Sequence, residues 1–130
     1  MNRTDNTLFI ACMKNPRFRD EFLTYMGEMM ATTFTTQHVY DLTMERYNLL
    51  LPEMEMHCAR WGADMNGYSV STFTSQTKSF LQYAYQRPTK LLGYFQESMK
   101  LSDAEMQHYF GGAYEAIAEF EEFYQSGLGN

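Results

Sequence analysis

Large, flexible apolar residues dominate this chain, and β-branched apolar residues are almost missing from it. Ten Phe, ten Tyr and eleven Met stand against only Ile10, Ile117, Val39 and Val70. Half-buried strands draw on β-branched side chains, so a sheet has little to be built from here. Met and large rings instead fill the irregular gaps between helices. Hydrophobic residues make up 45% of the 130 positions, which excludes a disordered chain and allows a core of ordinary size. The expectation is all-α: a compact bundle of about six helices with short loops. It forms one helical domain over residues 1–126, with a frayed tail at 127–130.

Punctuation along the chain sets the helices. Leu8–Met13 reads as a short helix, and Asn15-Pro16 as a cap followed by proline at the first helical position. Phe18, Phe22, Tyr25 and Met29 recur with helical spacing and carry that second helix to about Ala31. Thr35 or Thr36 caps the next, which turns Val39, Leu42, Leu49 and Leu50 toward the core. Pro52 ends or kinks it. Gly62–Gly67 reads as a loop, after which Ser69 or Ser71 caps a helix with Phe73, Phe80, Leu81 and Ala84 inward. Arg87-Pro88 interrupts that helix, and a new one follows with Leu91, Leu92, Phe95 and Met99. Ser102 and Glu105 form a capping box for a last helix holding Met106, Phe110, Ile117 and Phe120. Gly111-Gly112 is a break point within it, because two glycines cost a helix interior about 2 kcal/mol.

The segment Leu51–Gly62 carries the densest chemistry. Pro52 starts a turn with Glu53 and Glu55 near its positive end. Met54, Cys58 and Trp61 then share one stripe, expected to be buried with Trp61 as a core anchor. His57 and Arg60 lie on the polar flank.

Charge and composition exclude several functions. The net charge is −6, and residues 101–130 hold six acids and no Lys or Arg, while residues 1–100 are balanced. A basic stripe for nucleic acid is missing, and the acidic last helix reads as a solvated face. No stretch reaches the length of a membrane span, and Leu8–Met13 is too short an apolar run for a secretory signal. Cys12 and Cys58 carry no disulfide framework and read as small buried hydrophobes. Glu105-x-x-His108 has the spacing of a di-iron bundle motif, but such a site needs two copies and further carboxylates; Glu53 and His57 do not complete it. No metal site is therefore expected. Cys58 beside His57 makes no dyad, since neighbours on a helix point about 100° apart.

Read in order, Asn15-Pro-Arg-Phe-Arg-Asp-Glu-Phe22, Thr32-Thr-Phe34, Pro52-Glu-Met54, His57, Arg60-Trp61 and Arg87-Pro88 resemble the C-terminal helical part of the spore-coat CotH kinase family. The correspondence runs from about Leu8 to Tyr109. The resemblance implies an atypical bacterial protein kinase of the spore coat, the cell surface or the secreted fraction. In that family the phosphate-binding lysine and the catalytic and metal-binding aspartates lie upstream of the first of these motifs. None has a matching position here, so no catalytic residue is carried over. ATP and a divalent metal are expected only for a full-length relative, and the chain reads as a piece that is inactive alone. Its expected partner is the upstream kinase region, another protein, or a second copy joined through exposed apolar surface. His57, Arg60 and Trp61 are the candidate binding residues, supporting a substrate groove. The alternative is a stand-alone helical interaction module, binding through the acidic last helix or a Met- and aromatic-rich groove.

Overall fold

A computed structural model describes residues 6–127. The described residues are helical and contain no strand. The helices are α1 (Thr7–Cys12), α2 (Pro16–Ala31), α3 (Thr36–Leu50), α4 (Met54–Trp61), α5 (Val70–Met99) and α6 (Asp103–Gly127), with a 3-10 turn at Leu51–Glu53. The expected frayed tail falls outside the described residues except for Gly127, which closes α6. The chain divides into two compact units, Thr36–Arg87 and the pair of segments Met1–Thr35 and Pro88–Asn130.

In the second of these units the enclosed core consists of Leu23, Met30, Leu92, Phe95, Leu101, Met106, Phe110 and Ala113. Phe110 is fully enclosed, at 0% exposure, and stacks on Phe95 with ring centroids 5.1 Å apart. Phe22 meets Phe95 from α2, and Phe9 of α1 meets Phe22 edge-on at 5.1 Å. α2 and α6 form the most extensive helix pair. Their approach is set by glycine. A methyl group at Gly27 would collide with the carbonyl oxygen of Tyr109, so the two backbones touch there. A little further along, the same construction at Gly112 comes within 3.0 Å of the Ala31 methyl.

This contact explains two departures from expectation. The buried line of α2 is Leu23, Gly27 and Met30, one residue round from Phe18, Phe22, Tyr25 and Met29. Phe18 and Tyr25 are exposed, because the helix turns its bare glycine, not its largest rings, toward α6. The Gly111-Gly112 pair does not break α6, which runs unbroken from Asp103 to Gly127. The glycine cost is offset by the packing that Gly112 allows against α2.

Several termini form as expected. Asn15 Oδ1 accepts from the backbone N–H groups of Arg17 at 3.0 Å and Phe18 at 3.3 Å. Ser69 is the cap of α5, its Oγ accepting from the Thr72 N–H at 3.2 Å. Between α5 and α6 the chain turns in three residues. Lys100 takes the left-handed conformation at φ 51°, Leu101 is buried, and the Leu101 N–H donates back to the Gln96 carbonyl. Ser102 then closes the capping box: its N–H and hydroxyl each donate to Glu105 Oε2 at 2.8 Å, and Glu105 N–H donates to Ser102 Oγ. Those bonds hold the Glu105 carboxyl below its ordinary range, the backbone donor contributing most. Across the α2–α6 pair, the Tyr109 hydroxyl donates to Asp20 at 2.6 Å, and from α2 to the end of α5 an Arg19 guanidinium N–H donates to the Met99 carbonyl at 3.0 Å. The Asp20 bond pushes the Tyr109 hydroxyl above its ordinary pKa.

The α5 expectation is corrected at Pro88. The helix does not stop at Arg87-Pro88 but continues through it to Met99. A proline removes one helical hydrogen bond and crowds the preceding turn. Burial of Leu92 and Phe95 one and two turns further on fixes the backbone as helix.

The Thr36–Arg87 unit is more open. Its buried side chains are Thr36 and Met54, with Gly62 buried as backbone. Tyr47 of α3 stacks on Phe73 of α5 at 5.3 Å, and the Tyr47 hydroxyl meets the Thr74 hydroxyl at 3.1 Å. Leu42, Leu49, Leu50 and Phe80, all expected inward, are exposed. The helical spacing is real, but no element of the unit encloses those side chains.

Two outcomes are predicted. Gly27→Ala lowers the thermal midpoint by roughly 10 °C or more, because the new methyl must push a backbone carbonyl rather than a side chain. A midpoint unchanged in calorimetry would remove the glycine contact from this account. For Glu105 the folded pKa is depressed, so its contribution is present above an unfolded value of about 4.3 and is lost as pH falls through the lower folded value. Ser102→Ala raises the Glu105 pKa in an NMR titration and shrinks the acid-side loss of stability; an unmoved titration contradicts the capping box.

Candidate functional site

The sequence-derived candidates lie on α4, a helix of eight residues. The 3-10 turn at Leu51–Glu53 places Pro52 in its first positions, so α4 begins only at Met54, with Glu53 as its cap residue. Of the expected Met-Cys-Trp stripe, Met54 is buried, Cys58 is half-buried and Trp61 is 45% exposed. Trp61 is therefore not a core anchor. The enclosed place at that end of α4 belongs to Gly62. A methyl there would collide with the carbonyl oxygen of Cys58 and meet that of Tyr68 at 2.7 Å. The Gly62 carbonyl accepts from the Gly67 N–H at 2.8 Å and the Tyr68 N–H at 3.1 Å, folding the 62–67 loop back on the helix end. Asn66 and Gly67 take positive φ to complete the turn.

His57, Arg60 and Trp61 are all presented on the surface. Residues three and four apart on a helix are surface neighbours, so His57 is flanked by both Arg60 and Trp61. The Arg60 guanidinium lies over the indole, 4.8 Å from its centroid. A cation over an exposed ring is worth about 0.5–1 kcal/mol, enough to orient the pair but not to hold the fold. Arg60 also sits in the last turn of α4, where a positive charge is favoured. Met56, 68% exposed, stands on the same short helix.

A concavity that sequence reading passed over lies in the same unit. Leu42, Thr43, Arg46, Tyr47 and Leu50 of α3, with Phe73 and Thr77 of α5, line a space of about 320 Å³. Its walls are mainly apolar, with Arg46 supplying the one charged lining residue. Five of these residues follow the i, i+4, i+8 and neighbouring positions of α3, and of them Leu42 and Leu50 are the ones the helical spacing predicts to face an enclosed core. Exposed apolar residues of the unit extend beyond it at Leu49, Phe80 and Tyr83.

The remaining chemistry does not converge. Cys12 and Cys58 are free thiols, half-buried rather than enclosed. Glu105 is engaged by Ser102, and His108 is exposed with its ring edge-on to Tyr109 at 4.8 Å. Among the described residues no three His, Cys, Asp or Glu side chains gather as a metal site, and no helix is long and apolar enough to cross a membrane. On α6, Glu115, Glu119, Glu121 and Glu122 are exposed, as a solvated acidic face requires.

The fold and these surfaces define an all-helical chain whose presented residues suit binding. Residues 1–91 match the CotH kinase protein family, and the chain belongs to that family. The match contains the whole Thr36–Arg87 unit, including α4 and the apolar concavity, and ends within α5. No curated protein and no solved structure matches the chain.

Trp61 is the chain's single tryptophan, so its environment is directly readable. The expected emission is that of a water-exposed indole, quenched freely by acrylamide, and Arg60→Ala is expected to change stability by no more than about 1 kcal/mol. A shielded, blue-shifted emission contradicts the exposed placement.

Proposed function

We propose that this chain acts as a helical portion of a CotH-like atypical protein kinase, structural or substrate-supporting and without phosphoryl transfer of its own. The observation that supports this reading is the open Thr36–Arg87 unit, which falls within the family match and leaves Leu42, Leu49, Leu50, Met56, Trp61 and Phe80 exposed. A cluster of that kind is a docking surface in search of a partner. Here the partner is the nucleotide-binding region of a CotH-like kinase. His57, Arg60 and Trp61 stand at the edge of a substrate groove, where a histidine and a guanidinium can contact substrate polar groups. Phosphoryl transfer itself needs a phosphate cradle, a lysine and metal-binding carboxylates. The sequence offers no positions that match the family's motifs for these, so ATP and its divalent metal belong to the partner region.

A second reading rests on the α3–α5 concavity. Its size and apolar walls suit a helix or an apolar side chain from another protein, so the chain can serve as a stand-alone interaction module. A second copy, giving a homodimer through the exposed apolar residues, is one form of it.

Calorimetric titration of ATP with Mg²⁺ or Mn²⁺ tests the first reading. The expected result is no binding tighter than about 1 mM, from a chain that melts cooperatively and either binds a hydrophobic dye or dimerises. Nucleotide binding overturns the non-catalytic role. A dye-negative monomer overturns the docking surface, on both readings.

A further inference from the structure

We propose that Asn66 is a site of spontaneous deamidation, set up chemically by Gly67 and held in check by the folded 62–68 loop, so that its conversion records opening of that loop. Neither reading of function is needed for it.

Deamidation begins when the backbone nitrogen of the following residue attacks the side-chain carbonyl carbon of an asparagine. A side chain on that following residue hinders the approach, and glycine carries none. Asn66-Gly67 is the one Asn-Gly pair in the chain. Asn15 precedes a proline, which has no N–H to lose, and Asn48 precedes Leu49 inside α3. Residues 63–67 are exposed, so water and base reach the pair. A methyl built on Gly67 meets nothing within 4 Å, while its φ is 76°. Glycine at 67 therefore answers to backbone conformation, not to crowding.

The folded loop opposes the reaction. Asn66 at φ 57° and Gly67 at φ 76° are the central residues of a turn in which the Tyr68 N–H donates to the Met65 carbonyl at 3.3 Å. Two positive φ angles closed by that bond are the pattern of a type I′ turn, for which Asn-Gly is a preferred pair. The nitrogen of Gly67 is the nucleophile, and its N–H donates to the Gly62 carbonyl at 2.8 Å. The Tyr68 N–H donates to the same carbonyl at 3.1 Å. To react, Gly67 must give up its proton and turn its nitrogen toward Asn66 Cγ. That movement breaks its bond to Gly62, a buried residue held against the end of α4.

The steps balance without a redox partner. Base removes the Gly67 amide proton, the nitrogen bonds to Asn66 Cγ, and the Cγ–Nδ2 bond breaks. Ammonia leaves, taking up a proton from the solvent, and a cyclic succinimide remains. Water then adds to either ring carbonyl. Opening at Cγ gives an aspartyl residue, and opening at the backbone carbonyl gives an isoaspartyl residue, whose main chain runs through Cβ and Cγ. Either product adds a negative charge. The isoaspartyl product also lengthens the backbone inside the turn, just ahead of the Ser69 cap of α5. A lengthened turn cannot keep the Gly67 and Tyr68 N–H groups on the one Gly62 carbonyl.

Peptide mapping by mass spectrometry tests this on the full chain, aged in mildly alkaline buffer with and without guanidinium chloride. In denaturant Asn66 is expected to convert ahead of Asn48, and Gly67→Ala to slow it. Without denaturant the Asn66 rate is expected to fall at least about tenfold, because it scales with the open fraction of the loop. Equal rates in the two buffers overturn the guarding role of the loop. An Asn66 no faster than Asn48 in denaturant overturns the site itself. In isolated isoaspartyl chain, the Gly67 and Tyr68 amides are expected to lose their hydrogen-exchange protection; retained protection overturns the account of the turn.

Discussion

The contact between the bare backbone of Gly27 and the Tyr109 carbonyl determines how the principal core is assembled. Helices normally pack through interdigitated side chains, 8–10 Å apart along their axes. At this crossing there is no side chain on one partner, and the backbones meet directly. The arrangement fixes which face α2 turns inward, and so places Leu23 and Met30 against Phe110 and Ala113. It also brings Asp20 to the Tyr109 hydroxyl. That polar bond depends on the apolar contact, because both of its arms are carried by the helices that the glycine brings together.

What the sequence made legible was whatever local chemistry decides. The Asn15-Pro16 start, the Ser69 cap and the Ser102–Glu105 capping box each join residues within a few positions of one another, and all formed. The inward faces of the second half of α5 and of α6 were legible because large apolar residues there do fill the core. The face of α2 was not, because hydrophobic spacing scores rings and gives a glycine no weight. Pro88 and Gly111-Gly112 were misjudged for a related reason: penalties of a few kcal/mol were known from the sequence, but the tertiary contacts that offset them were not.

Candidate-site residues were legible as polar or aromatic positions on one short helix, but their exposure was not. The Met54-Cys58-Trp61 spacing is that of a buried stripe, and only Met54 is enclosed. Spacing says that residues share a face; it says nothing of whether anything covers that face. On α3 the same reasoning failed for Leu42, Leu49 and Leu50, and there the uncovered face includes the wall of a concavity. An amphipathic pattern read as core is thus equally the pattern of a docking surface.

Membership of the CotH kinase family and the distribution of packing therefore bear on different parts of the chain. The match ends at residue 91, while the enclosed core draws six of its eight residues from Leu92 onward, at Leu92, Phe95, Leu101, Met106, Phe110 and Ala113. The part that identifies the family includes the unit with the thinnest core and the most exposed apolar surface; the part beyond the match supplies most of the enclosed core. Exposed Leu and aromatic side chains are costly to keep in water at about 25 cal/mol per Å², and a partner surface that covers them recovers that free energy on binding.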